Sequence, residues 1–193
     1  MKRWIWIPAA ALAVVAALQV TSLSSQPLGI PPGPPPPGWK QLVRQRTAEF
    51  GHRNWIVVAD SAYPIQSRPG IETVLTNADH LEVAEFVLDE IGRQKHLRPV
   101  VFTDAELPYV PGKEALGIEA YRTDLKKVFN ERKAIPILHE ELIARLDKAA
   151  SAYNVLVLKT PLALPYTSVF IELNCGYWSA DAEGRLREAM KKE

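Results

Sequence analysis

Apolar residues along the chain fall into short unbroken runs, set apart by longer stretches with helical spacing. Trp55-Ile56-Val57-Val58-Ala59, Glu72-Thr73-Val74-Leu75-Thr76, Pro99-Val100-Val101-Phe102-Thr103, Val155 to Leu158 and Ser168 to Leu173 read as strands, several apolar throughout. Ile135-Pro136-Ile137-Leu138 is brief and carries a proline, which suits an edge or broken strand. Between the runs, Leu42, Val43 and Phe50 share one side of a short helix from Trp39 to Phe50. Leu81, Ala84, Leu88 and Ile91 trace an apolar face behind Asp79 and Glu82, which are spaced as a capping box. A Pro/Gly-rich loop leads to Lys113 and a helix ending near Asn130. His139 opens a helix through Tyr153 with Leu142, Ile143 and Leu146 inward, and a charged helix closes the chain from Asp181. Strands alternating with helices predict one three-layer α/β/α domain over residues 39–193, with a mostly parallel sheet.

The N-terminal pattern differs. Lys2 and Arg3 precede an uncharged apolar run from Trp4 to Val20, then small residues in Thr21-Ser22-Leu23-Ser24-Ser25. Residues 1–24 therefore read as an export signal or, uncleaved, as an N-terminal anchor. Residues 25–38 are proline-rich, and Gly29 to Gly38 reads as an extended polyproline tether. The expected location is periplasmic or extracellular, with membrane attachment only through that first segment.

Composition narrows the classes of function. The chain has 193 residues, 47% hydrophobic and 23% charged, with a formal net charge of +1. A core of ordinary size follows, and the balanced charge argues against a nucleic-acid partner. One cysteine, Cys175, excludes an intrachain disulfide and a cysteine zinc site. Gly29-Ile30-Pro31-Pro32-Gly33 cannot cradle a phosphate, because proline offers no N–H. His139-Glu140-Glu141-Leu142-Ile143 lacks the second histidine of a zinc-protease helix, and no Gly-x-Ser-x-Gly elbow exists.

The most informative stretch surrounds the first strand, where Gly51-His52 precedes it and Asp60-Ser61-Ala62-Tyr63-Pro64 closes it. Polar residues at strand ends of open α/β sheets sit where ligands bind. From spacing alone, Asp60 equally caps a turn and His52 is equally a loop histidine. This stretch resembles the D-ribose pyranase and L-fucose mutarotase family, which carries the same His-to-Asp interval and an Asp-Ala-x-x-Pro turn. Asn77-Ala78-Asp79-His80 is similar to an Arg-Ala-Asp-Gly stretch of the fucose branch, with Asn77 in place of arginine. His139-Glu140 resembles the His-Glu pair that opens a helix in the ribose branch. Tyr166-Thr167-Ser168 stands where the family has Tyr-x-Asn, with Ser168 for the asparagine.

The resemblance implies a monosaccharide isomerase that interconverts anomers or ring forms without metal or cofactor. Opening a hemiacetal needs one group to protonate the ring oxygen and another to take the anomeric proton. His52 is the expected acid/base residue. Asp60, His139, Tyr166 and Ser168 are the expected sugar-binding residues. Two other readings share the fold: a sugar-binding module without catalysis, and a tethered structural or interaction domain.

Length adds one more expectation. An extended run from Asn54 to Ala59 separates His52 from Asp60 by about 20 Å. If every strand ran parallel, His52, Tyr166 and Ser168 would share one sheet edge, with Asp60 and His139 at the other. A site using both sets would then lie between head-to-tail subunits of a homo-oligomer.

Overall fold

The structure, a computed structural model, describes residues 38–191. The stretch read as an export signal or anchor and, apart from Gly38, the proline-rich stretch lie outside those residues. Within them the element order is α1 (Trp39–Glu49), β1 (Trp55–Ala59), β2 (Ile71–Leu75), α2 (His80–Arg93), β3 (Leu97–Asp104), a 3₁₀ turn (Leu107–Tyr109), α3 (Ile118–Phe129), β4 (Ala134–Ile137), α4 (His139–Ala150), β5 (Val155–Lys159), β6 (Val169–Cys175) and α5 (Ala180–Met190). Each run read as a strand is one, and Pro136 sits in β4 at the sheet edge, where its missing N–H costs least.

The six strands are ordered β2-β5-β1-β6-β3-β4. β1, β2 and β5 are mutually parallel, and β3 is parallel to β4. β6 runs antiparallel to both β1 and β3. The sheet is therefore mostly parallel with one reversed central strand. The cause is length: only residues 160–168 join β5 to β6, and a parallel return needs a crossover of a dozen or more residues.

Side-chain parity divides the core between the two faces. Ile56, Val58, Leu156, Leu158, Val169 and Ile171 pack with Leu42 and Val43 of α1, Val83 and Val87 of α2, and Ile118 and Leu125 of α3. Trp55, Val57, Val155, Val157, Phe102 and Phe170 pack on the opposite face with Leu142, Leu146 and Ala150 of α4. Alternate residues of the apolar strands are thus buried on opposite faces, which is why they read as unbroken runs. In α2 the buried stripe is Val83, Ala84, Val87, Leu88 and Ile91, so Leu81 lies at its margin. Asp79 Oδ1 accepts the N–H groups of Leu81 at 2.9 Å and Glu82 at 3.1 Å, while Glu82 itself pairs with Lys40.

Where β6 ends, Gly176 passes the start of β3. A Cβ there would lie 2.6 Å from the Lys95 and Leu97 carbonyl oxygens and 2.8 Å from the Leu97 nitrogen. All three are backbone atoms that cannot swing aside. Gly176→Ala is expected to lower stability by ~1–3 kcal/mol, as overpacking does. Urea unfolding measures it, and an unchanged midpoint would show that β3 yields freely.

Candidate functional site

Because β6 is reversed, its first residues arrive beside the last residues of β1. Ser168 Oγ donates to Asp60 Oδ2 at 3.0 Å, and Asp60 N–H points to the same Oγ at 3.4 Å. Asp60 Oδ1 accepts the Ala62 N–H at 2.8 Å, an Asx turn that shapes the loop onward to Pro64. His139, the first residue of α4, reaches this edge after β4. Its ring meets Tyr166 edge-on, with centroids 5.8 Å apart and planes at 82°. Asp60, His139 and Tyr166 line one groove of about 470 Å³, together with Tyr63, Gln66 and Ile143. That size suits a small ligand, whose sites run ~300–1,000 Å³.

Tyr166 and Ser168 therefore share the edge of Asp60 and His139, not that of His52. This corrects the all-parallel arrangement, and the reversed β6 is its cause. His52 stands in the exposed turn before β1, at the opposite edge. That turn is held by Asn54 Nδ2 on the Gly51 carbonyl and by Arg53 N–H on the Leu173 carbonyl. Within one chain, four of the five expected site residues converge and His52 does not. Asn77 takes φ 49°, a left-handed turn that asparagine tolerates.

Tyr166 holds φ 57°, a conformation that costs a bulky residue on the order of 1 kcal/mol or more. The Thr167 hydroxyl braces this turn by donating to the Leu164 carbonyl at 2.8 Å. The turn presents the Tyr166 ring, 40% exposed, to the groove.

Residues not singled out from the sequence complete the site. Asp104, the last residue of β3, is 1% exposed, and its Oδ1 lies 3.0 Å from His139 Nδ1. Burial pushes its carboxyl up to about 6, against the opposing pull of His139. Glu106 accepts the backbone N–H of His139 at 3.1 and 3.2 Å. Among the described residues, Asp104 Oδ2 is buried without a hydrogen-bond partner. Burial also moves the Tyr63 hydroxyl up to about 12, so it remains a hydrogen-bond donor at neutral pH. Behind Asp60, Tyr121 Oη donates to the Thr167 carbonyl at 2.7 Å and lies 3.3 Å from His80 Nδ1. The signal for Asp104 was present: it ends an apolar strand as Asp60 does.

Three other clefts are as large, about 500, 550 and 500 Å³, and in the first two the arginines are already engaged. In the first, Arg122 is spent on the Leu107, Pro108 and Val110 carbonyls. In the second, Arg53 is held by Tyr153 and Arg145 by Glu141.

Neither a protein-family model nor a curated protein matches the sequence. Among solved structures, the chain is similar to Bacillus subtilis RbsD complexed with D-ribose, at 18% identity and TM-score 0.48, over 69% of this chain and 91% of that one. It is similar to the fucose mutarotase from Streptococcus pneumoniae in complex with L-fucose, at 15% identity and TM-score 0.44, over 67% and 89%. It is also similar to FucU from Bifidobacterium longum, at 16% identity and TM-score 0.45, over 69% and 94%.

Proposed function

We propose that the protein is a monosaccharide mutarotase or pyranase-like isomerase, with its sugar in the groove of Asp60, His139 and Tyr166. The observation that carries this reading is the convergence of Asp60, His139, Tyr166 and Ser168, widely separated in sequence, at one sheet edge. A carboxylate, an imidazole and a phenol along one groove match the alternating donors and acceptors of a sugar. Asp60 accepts sugar hydroxyls, Ser168 holds Asp60, and His139 and Tyr166 orient the ring. His52 transfers the proton at the anomeric centre, and it reaches the groove from a neighbouring copy.

The distribution of exposed apolar residues supports such stacking. Ile65, Tyr109 and Leu138 follow parallel strands, Leu75 ends one, and Tyr166 precedes the reversed strand, which puts them at the sheet edge of the groove. Tyr177 and Trp178 follow β6, at the edge of His52. Two different apolar rims at opposite edges suit a heterologous, head-to-tail contact.

NMR exchange between anomers, run on ribose, fucose, galactose and glucose, tests the reading. At least one sugar is expected to exchange faster with protein, and His52→Ala to slow that exchange by ~10²-fold or more. Binding without exchange would instead establish a non-catalytic sugar module, and absence of both would leave the interaction domain. Export is part of the proposal and rests on Lys2-Arg3 and the apolar run after them. Mass spectrometry of natively expressed protein is expected to show loss of roughly the first two dozen residues. An intact Met1 in a cytosolic fraction would refute it.

A further inference from the structure

We propose that Asp104 and Glu106 are positioning residues that clamp His139 at two points, fixing its ring so that Nε2 offers a lone pair to a ligand hydroxyl in the groove. The proposal rests on the sugar-site reading for the identity of that ligand. The clamp itself stands on geometry.

β3 and β4 pair in parallel with Asp104 opposite Ile137, and Ala105 N–H extends the ladder to the Ile137 carbonyl at 2.8 Å. The two chains therefore leave the sheet together, one toward Glu106 and the other toward His139. The N-cap position of α4 is Leu138, whose side chain offers no cap. Glu106 supplies the missing acceptor from outside, taking the His139 N–H with both carboxylate oxygens. Asp104 takes the same residue's ring nitrogen. One carboxylate holds the backbone of His139 and the other its imidazole.

An ionised carboxylate only accepts hydrogen bonds, so the contact requires the proton on His139 Nδ1. The neutral ring then carries its lone pair on Nε2, the nitrogen left for the groove that His139 lines. Asp104 is nearly inaccessible, and its second oxygen has no partner among the described residues. Burying a carboxylate with one hydrogen bond is costly. A polar but uncharged side chain would serve stability better, which is the mark of a group kept for a site.

The test reads the tautomer directly in the full chain labelled with ¹⁵N at histidine. Long-range ¹H–¹⁵N spectra, without sugar, should show His139 protonated at Nδ1 and bare at Nε2. Asp104→Asn keeps the shape but offers both a donor and an acceptor, so the Nε2-protonated form should appear. Glu106→Gln can still accept the backbone N–H and should leave the tautomer unchanged. Titration with D-ribose and L-fucose adds a second readout: affinity for whichever binds should fall about tenfold in Asp104→Asn, the loss of one good hydrogen bond. Wild-type His139 protonated at Nε2, or an Asp104→Asn spectrum identical to wild type, would overturn the clamp. Failure of both sugars to bind wild type would count against the sugar reading alone, since the tautomer is read without them.

Discussion

Relative to wild type, Asp104→Asn is expected to gain about 3 kcal/mol of stability as pH rises from 4 to 7, and His80→Gln to gain about 3 kcal/mol as pH falls from 6.5 to 4. The two signs follow from burial acting on opposite charges. Asp104 is pushed up to about 6 by burial, with Glu106 and Asp60 adding to the rise and His139 opposing it. Between its ordinary value of 3.8 and about 6, the folded chain holds a proton that the unfolded chain has lost. Stability through this group is therefore greatest in acid and falls as pH rises. His80 is 2% exposed and is pushed down to about 4 by burial, although Asp60 and Asp79 favour its charge. Between about 4 and 6.5 the unfolded chain holds the extra proton, so stability through His80 falls as pH falls.

Over the shared window the two proton counts nearly cancel, and wild type should show little slope from this pair. Each substitution exposes the other's slope. Urea unfolding across pH 4 to 7, read as the difference from wild type, removes the carboxylates common to all three proteins. A flat difference for Asp104→Asn would show that its carboxyl ionises as if exposed. The same variant is expected to lose sugar affinity where it gains stability, so the two properties should move in opposite directions.

Local pattern carried the elements well because the physics there is local. An apolar run with β-branched residues makes a strand wherever it lands, and Asp79 caps α2 through bonds no longer than a turn. Asp60 was legible as a strand-end carboxylate, and His139 as the opening of a helix. What escaped depended on which end of a strand meets which. Tyr166 and Ser168 fall with His52 only if β6 runs parallel, and the short 160–168 connection argues for its reversal. The contacts of Asp104 and Glu106 carry no local signature, because they depend on the β3–β4 pairing, which brings residues 33 to 35 positions apart together. The left-handed backbone at Tyr166 leaves no trace in composition, since tyrosine is among the last residues expected there.

The largest functional effect is expected from mixing two inactive proteins. His52 precedes β1 and Asp60 follows it, so the strand itself keeps them about 20 Å apart. A monosaccharide spans a fraction of that distance. The groove edge gathers Asp60, His139, Tyr166 and Ser168, and His52 stands at the opposite edge of the same chain. Head-to-tail stacking would bring the His52 edge of one copy, with Tyr177 and Trp178, onto the apolar rim around the next copy's groove. Under that arrangement His52→Ala and Asp60→Asn disable different halves of every site. Asparagine is chosen at Asp60 because it can still accept the Ala62 N–H that shapes the loop. Each protein alone should exchange anomers at the background rate. Unfolded together in equal amounts and refolded, they should recover about a quarter of the sites, because half of the grooves keep Asp60 and half of the neighbours keep His52. Native mass spectrometry establishes that mixed oligomers have formed. Mixed oligomers without recovered exchange would place the whole site within one chain and remove His52 from it; a protein that stays monomeric at every concentration would do the same.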